Sequence, residues 1–194
     1  MLKLILNKKY NPLFSSEARY FIITGGRGSG KSFAVTVFLT LLTMTKGIRI
    51  LFTRYTMTSA HLSIIPEFLE KIGLLGFDDV FSINKAEVVN TSNQSDILFR
   101  GIKTSAGNQT GNLKSLQGIS TWVLDEAEEL VDENIFDTID LSIREKNIHN
   151  RVVLILNPVT KEHWIYKRFF EDKGIEGGFN GFKDNVCYIH TNYQ

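Results

Sequence analysis

The stretch that most constrains this chain is residues 20–32, YFIITGGRGSGKS. Tyr20, Phe21, Ile22, Ile23 and Thr24 form an apolar run that predicts a short buried strand. It leads without a break into Gly25, Gly26, Arg27, Gly28, Ser29, Gly30, Lys31 and Ser32, which match the pattern G-x-x-x-x-G-K-S/T. Residues 33–45 are rich in Phe, Val and Leu and hold no Gly or Pro, which predicts a helix. Strand, glycine loop and helix in this order specify a phosphate-binding loop. Glycine lets backbone N–H groups turn inward and crowd an anion without Cβ clashes. The helix that follows aims its positive end at the same point. Lys31 is placed to reach the β- and γ-phosphates of a nucleotide, and the Ser32 hydroxyl to ligate Mg2+.

Such a loop needs an α/β domain around it, and 194 residues suffice for one with a sizeable core. The formal net charge of +1 announces no overall basic surface, though it leaves room for a local basic patch. A single cysteine, Cys187, rules out an internal disulfide and fits a reducing compartment. No apolar run approaches the roughly 20 residues of a membrane span.

Further strands are predicted at residues 48–53, 121–125, 151–157 and 186–190, and an edge strand at 2–6. Short runs at 81–84, 87–90 and 96–100 suggest an antiparallel extension of the sheet. Helices are predicted over 58–72, over 132–143 with Asp132 as N-cap, and over 161–171. Residues 103–115, KTSAGNQTGNLKS, read as an exposed, mobile polar loop. The fold class expected is α/β: a mainly parallel sheet with helices on both faces.

Asp125 and Glu126 end a hydrophobic run, Thr121 to Leu124. Beside a phosphate loop, the first carboxylate serves to hold Mg2+. The second can accept a proton from the attacking water or orient it. Glu128 and Glu129 read as a solvated helix start. Arg27, inside the loop, could neutralise charge on the leaving phosphoryl group or tie the loop together. Arg100, Lys114 and Arg144 are surface cations that a neighbouring subunit's site could borrow. Arg54, at the end of its strand, is either a site residue or a surface ion pair. Asn157, before Pro158, either senses the γ-phosphate or caps the strand. Tyr10, Asn11 and Phe14, upstream of the loop, could stack on or bond to an adenine, or simply pack at the domain rim. The four histidines show no metal-ligand spacing, and Trp122 and Trp164 read as core.

Together GGRGSGKS at 25–32, LKSLQGISTWVLDEAEEL at 113–130 and LILNPVTKEHWIYKRFF at 154–170 resemble the large subunit of tailed-phage terminases, the DNA-packaging motor. The resemblance runs over essentially the whole chain. It implies a P-loop NTPase of the type with an additional strand and a catalytic glutamate, binding ATP and Mg2+. It matches Lys31 and Ser32 to the loop's catalytic Lys and metal-binding Ser. Asp125 and Glu126 match the metal-binding Asp and catalytic Glu, Asn157 the coupling position, and Arg27 a frequent loop arginine. Lys114 stands where some members carry a trans-acting arginine. The partners implied are double-stranded DNA, a portal protein and a terminase small subunit. The implied assembly is a homo-oligomeric ring during packaging, with a monomer in isolation and no membrane. The implied location is the cytoplasm of the infected bacterial host. Residues 1–194 are expected to be the ATPase domain of a longer protein whose C-terminal nuclease domain is absent. Two rival readings are a helicase-type nucleic-acid remodelling ATPase, which should carry a second ATPase-like domain, and an assembly module that binds ATP without hydrolysing it appreciably.

Overall fold

The computed structural model describes residues 4–57, 64–104, 107–108 and 110–192. The strands are β1 (Tyr20–Gly25), β2 (Arg49–Thr56), β3 (Phe81–Ile83), β4 (Glu87–Asn90), β5 (Asp96–Thr104), β6 (Gly107–Asn108), β7 (Thr121–Asp125), β8 (Arg151–Leu156), β9 (Gly181–Lys183) and β10 (Val186–Thr191). They form one sheet in the order β3-β4-β5-β2-β7-β8-β1-β10-β9, with β6 paired to β5. From β5 through β10 in that order the strands run parallel. Both outer edges are antiparallel. Strand β8 stands between the phosphate-loop strand β1 and the acidic strand β7. This is the additional strand of the expected class.

The helices are α1 (Asn11–Ser15), α2 (Lys31–Leu42), α3 (Ile64–Leu74), α4 (Thr110–Lys114), α5 (Glu133–Asp140) and α6 (Trp164–Tyr166), which widens into a π turn over Lys167–Glu171. They cover both faces of the sheet. On one face Phe21, Ile23, Val123, Val153 and Ile155 pack with Val35, Phe38 and Leu39 of α2 and Phe68 and Ile72 of α3. On the other, Ile22, Trp122, Leu124 and Leu154 pack with Leu113 of α4, Phe136 and Ile139 of α5, and Ile165 and Phe169. Side chains alternate across the pleat, so successive residues of one strand feed different cores. Helix α2 is apolar nearly all round because it is buried nearly all round, from Ala34 to Thr40.

Trp122 shows how the core and the site are joined. Its ring lies 5.1 Å from Phe136, whose ring lies 4.7 Å from Trp164. Its indole N–H donates to Thr53 Oγ1 at 2.9 Å, and that hydroxyl donates to Val123 O at 3.0 Å. A buried Trp needs such a partner, and here the partner fixes β2 against β7 one residue below Arg54 and Asp125. The start of β1 is tied to the end of α5 in the same way. Arg19 donates to Ile143 O and pairs with Asp140, whose other oxygen accepts from Tyr20 OH at 2.7 Å.

The antiparallel extension is present as β3-β4-β5, and β5 joins it to the parallel part by pairing with β2 on its other side. Several other expectations are corrected. Residues 4–7 form no strand; the chain enters through a short 3-10 turn, Lys8–Tyr10. The predicted helix over 58–72 is seen as α3 from Ile64, and 58–63 lie outside the described residues. Residues 103–115 are not a bare polar loop: they carry the end of β5, β6 and α4, and Leu113 is buried. Asp132 does cap α5, accepting from Asn134 N at 3.0 Å, but α5 ends at Asp140. The last helix starts at Trp164, because His163 is its N-cap through Nδ1, which accepts from Ile165 N.

Candidate nucleotide site

Open parallel sheets bind ligands beyond the C-terminal ends of their strands, and four such ends meet here. Strand β1 delivers residues 25–32, β2 delivers Arg54, β7 delivers Asp125 and Glu126, and β8 delivers Asn157. Strand register puts them level: Thr24 pairs with Leu156, Asp125 with Ile155, and Thr53 with Leu124. They enclose a cleft of about 390 Å3 lined by Arg27, Lys31, Ser32, Arg54, Asp125, Glu126, Glu128, Glu129 and Asn157, among others.

The glycine loop is held by close backbone packing. Gly25 has φ +156°, and a Cβ there would lie 2.1 Å from Thr191 O, at the last residue of β10. Gly28 and Gly30 take φ values of +78° and +82°, in the left-handed region that favours glycine. Gly30 is the N-cap of α2. Tyr10 lies under the loop. Its hydroxyl donates to Ser29 O at 3.1 Å and sits 3.1 Å from Thr191 Oγ1.

Lys31 is folded back on its own loop. Its ammonium donates to Gly25 O at 2.6 Å, Gly26 O at 2.9 Å and Asn157 Oδ1 at 3.3 Å. Burial lowers its pKa, while the charges of Glu128 and Asp125 work against that shift. Asn157 in turn donates from Nδ2 to Glu128 Oε1 at 2.6 Å. Ser32 is exposed on the first turn of α2, facing the cleft.

Asp125 is buried, and Arg54 holds its Oδ2 through Nε at 2.8 Å and Nη2 at 2.6 Å. The same guanidinium lies 3.7 Å from Glu126 Oε2. Glu126 sits at φ +54° and ψ +46°, a left-handed conformation that a non-glycine residue adopts only when its surroundings require it. Its side chain lines the cleft. Its pKa is raised. Burial is the largest cause, Arg54 opposes it, and the charges of Asp125, Glu129 and Glu128 add to it. A carboxylate raised toward neutrality is a better proton acceptor than one at its ordinary value.

The residues fit Mg2+. Asp125 Oδ1 and the Ser32 hydroxyl are hard oxygen donors beside the loop. Among the described residues only Oδ2 of Asp125 is engaged. No group of three or more His, Cys, Asp or Glu among the described residues is placed to hold a metal unaided.

The structure thus brings together residues 25–32, Asp125, Glu126 and Asn157. Arg27 lines the cleft, exposed, and makes no ion pair among the described residues. Tyr10 and Asn11 do not line this cleft. Tyr10 is only 3% exposed, so its ring has no free face, and Asn11 is exposed at the start of α1. Phe14 packs edge-on against Phe38 instead. Arg100 bonds its own strand's Phe99 O and Ala86 O. Lys114 and Arg144 both line a groove before the starts of β7 and β8, at the opposite end of the sheet from the loop. None of the three reaches this cleft.

Two site residues were undervalued in the sequence. Arg54 is a site residue, joined to both carboxylates. Glu128, read as solvated, bonds Asn157, and its Oε2 is buried without a partner among the described residues. The spacing H-W at 163–164 held the signal for the second. His163 Nε2 donates to Glu128 O at 3.1 Å, and Trp164 Nε1 donates to Leu130 O, so this motif clamps the segment after the acidic pair.

Fold and site together define a P-loop ATPase with an additional strand and an adjacent Asp-Glu pair at the end of the neighbouring strand. The chain matches the family model described as phage terminase large subunit over residues 17–194, and it belongs to that family. It is 27% identical over 174 residues to the PBSX phage terminase large subunit of Bacillus subtilis strain 168, covering 86% of this chain and 38% of that protein. The chain spans less than half the length of the curated relatives it matches. Its fold is similar to the large terminase of a thermophilic bacteriophage, with a TM-score of 0.72 and 13% identity over 97% of this chain and 46% of that one. That phage protein has also been solved in complex with ADP. The ATPase domain of the Thermus phage P74-26 large terminase gives a TM-score of 0.64 and 17% identity, covering 96% of this chain and 80% of that one. The helicase-type reading is not favoured by these matches.

Proposed function

We propose that residues 1–194 are the ATP-hydrolysing motor domain of a phage terminase large subunit, driving double-stranded DNA into a procapsid. The observation that carries this is the cleft itself. Lys31, Asp125, Glu126 and Asn157, beyond the ends of three separate strands, converge on one phosphate loop in a chain of the terminase family.

The geometry supports the following roles. Backbone N–H groups of residues 26–31 and the N-terminal end of α2 receive the phosphates. Lys31 exchanges its bond to Asn157 for a phosphate oxygen. Asp125 and Ser32 would hold Mg2+, which neutralises charge on the β- and γ-phosphates when bound. Glu126 orients the attacking water and accepts its proton. Arg27, exposed at the cleft mouth, is the cation placed to meet the charge on the leaving γ-phosphoryl group in cis. Asn157 couples phosphate occupancy to the segment beyond β8.

DNA, the portal protein and the terminase small subunit are the proposed partners, in the cytoplasm of the infected bacterial host. The domain acts in a ring and is monomeric in isolation. Lys114, Arg144 or Arg100 of one subunit is then the candidate donor to a neighbour's cleft. We assign no nuclease chemistry to residues 1–194. The test is steady-state ATP hydrolysis with and without double-stranded DNA over a range of protein concentrations. We expect slow turnover that rises with DNA and with concentration. No Mg2+-dependent hydrolysis under any of these conditions would overturn the motor reading in favour of a nucleotide-binding assembly module.

A further inference from the structure

We infer that Glu128 is a positioning residue that competes with the γ-phosphate for the side-chain amide of Asn157. This rests on the nucleotide reading above and names a residue that the reading leaves without a role.

The Lys31 ammonium has three protein oxygens within hydrogen-bond distance, the third being Asn157 Oδ1. With its oxygen on Lys31, the Asn157 amide turns its NH2 end toward a second acceptor. Glu128 Oε1 is that acceptor, at 2.6 Å, in a charge-assisted bond. Turning the amide over would set two donors against each other at Lys31 and two acceptors at Glu128. Glu128 therefore fixes which end of Asn157 faces the loop. The Glu128 backbone is held beside the amide, since its carbonyl accepts from Nε2 of His163, the N-cap of α6.

A γ-phosphate reverses these preferences. Lys31 turns to the β- and γ-phosphates, so Asn157 Oδ1 loses its donor with either nucleotide. The γ-phosphate, an anion beside Asn157, selects the NH2 end of the amide rather than the oxygen. To give that end to the phosphate, Asn157 must leave Glu128. ADP makes no such demand. Glu128 thus sets a cost on ATP that ADP does not meet, and its release reports the γ-phosphate to the start of α6. Its second oxygen, buried without a partner among the described residues, makes the resting arrangement easier to leave.

The test is calorimetric titration of the 194-residue protein with ATPγS and with ADP, each with Mg2+. Glu128→Ala should raise the preference for ATPγS over ADP about fivefold, the size of one partly exposed charge-assisted hydrogen bond. Glu128→Gln, which retains a neutral acceptor, should give a smaller rise of the same sign and carries the test if the alanine variant does not fold. In an Asn157→Ala background the Glu128 substitutions should leave the preference unchanged. An unchanged preference in the single variants overturns the inference while leaving the nucleotide site intact. So does a rise that persists without Asn157, because that would be plain charge repulsion. Failure of the parent to bind either nucleotide would overturn both.

Discussion

Arg54→Ala removes the only cation bonded to Asp125 among the described residues. The Asp125 side chain is 4% exposed and that of Arg54 is 23% exposed. Taking one partner from a buried ion pair costs roughly 3–5 kcal/mol, because the remaining charge stays buried and unpaired. Arg54 keeps some contact with water, so the low end applies, about 3 kcal/mol. For a domain of this size each kcal/mol shifts Tm by roughly 2–4 °C, which gives a fall of about 6–12 °C. The assay is thermal unfolding in EDTA and across a Mg2+ series. A carboxylate freed from Arg54 is a better metal site, so Mg2+ should stabilise Arg54→Ala more than the parent. Arg54→Lys keeps the charge but not the paired N–H contacts, and should fall between them. If Arg54→Ala unfolds at the parent temperature in EDTA, the pair contributes nothing and the reasoning fails.

Gly25→Ala should cost several kcal/mol, or prevent folding, because its Cβ would meet Thr191 O at 2.1 Å; Gly26→Ala, whose Cβ would find open space, should unfold near the parent temperature, and equal losses in the two would remove the steric argument. His149 supplies a pH dependence. Its Nδ1 accepts from Arg151 at 2.6 Å, and its Nε2 faces Ala18 O at 3.0 Å, so the ring must be neutral. Burial first, then the Arg151 charge, holds its pKa below the ordinary 6.5. The folded state therefore binds fewer protons than the unfolded one, and stability should fall as pH drops below about 6.5. Denaturant unfolding of the parent and His149→Gln checks this: the variant should lose part of the pH slope, and identical slopes would refute it.

The phosphate loop and the acidic pair were legible because their chemistry is written in adjacent residues. A strand, a glycine loop and a helix form one local unit. Helix α5 and its Asp132 cap were legible for the same reason. What the sequence hid depends on which strands lie side by side. Arg54 meets Asp125 only because β2 pairs with β7, and the two residues are 71 positions apart. Tyr10 reads as a ring near a nucleotide until β10 is placed beside β1. Thr191, 181 residues away, then closes over its hydroxyl and the ring goes into the core. Glu128 looks solvated as one acid in DEAEE. One of its oxygens is buried and the other is taken up by Asn157, because β8 sits between β1 and β7 and carries Asn157 across to it. Helix α4 was hidden inside a polar run because its burial rests on Leu113, an apolar residue with polar neighbours on both sides in the chain.

The central claim is that this cleft hydrolyses ATP with Glu126 as the group that acts on water. Glu126→Gln keeps the size of the side chain and leaves Asp125, Ser32 and Lys31 in place. The direct measurement is ATP affinity and single-turnover hydrolysis by Glu126→Gln beside the parent and Lys31→Ala. The expected result is near-parent affinity with a rate lowered by about 10²–10⁴ for Glu126→Gln, and weakened binding as well as lost turnover for Lys31→Ala. Hydrolysis by Glu126→Gln at the parent rate would contradict the assignment.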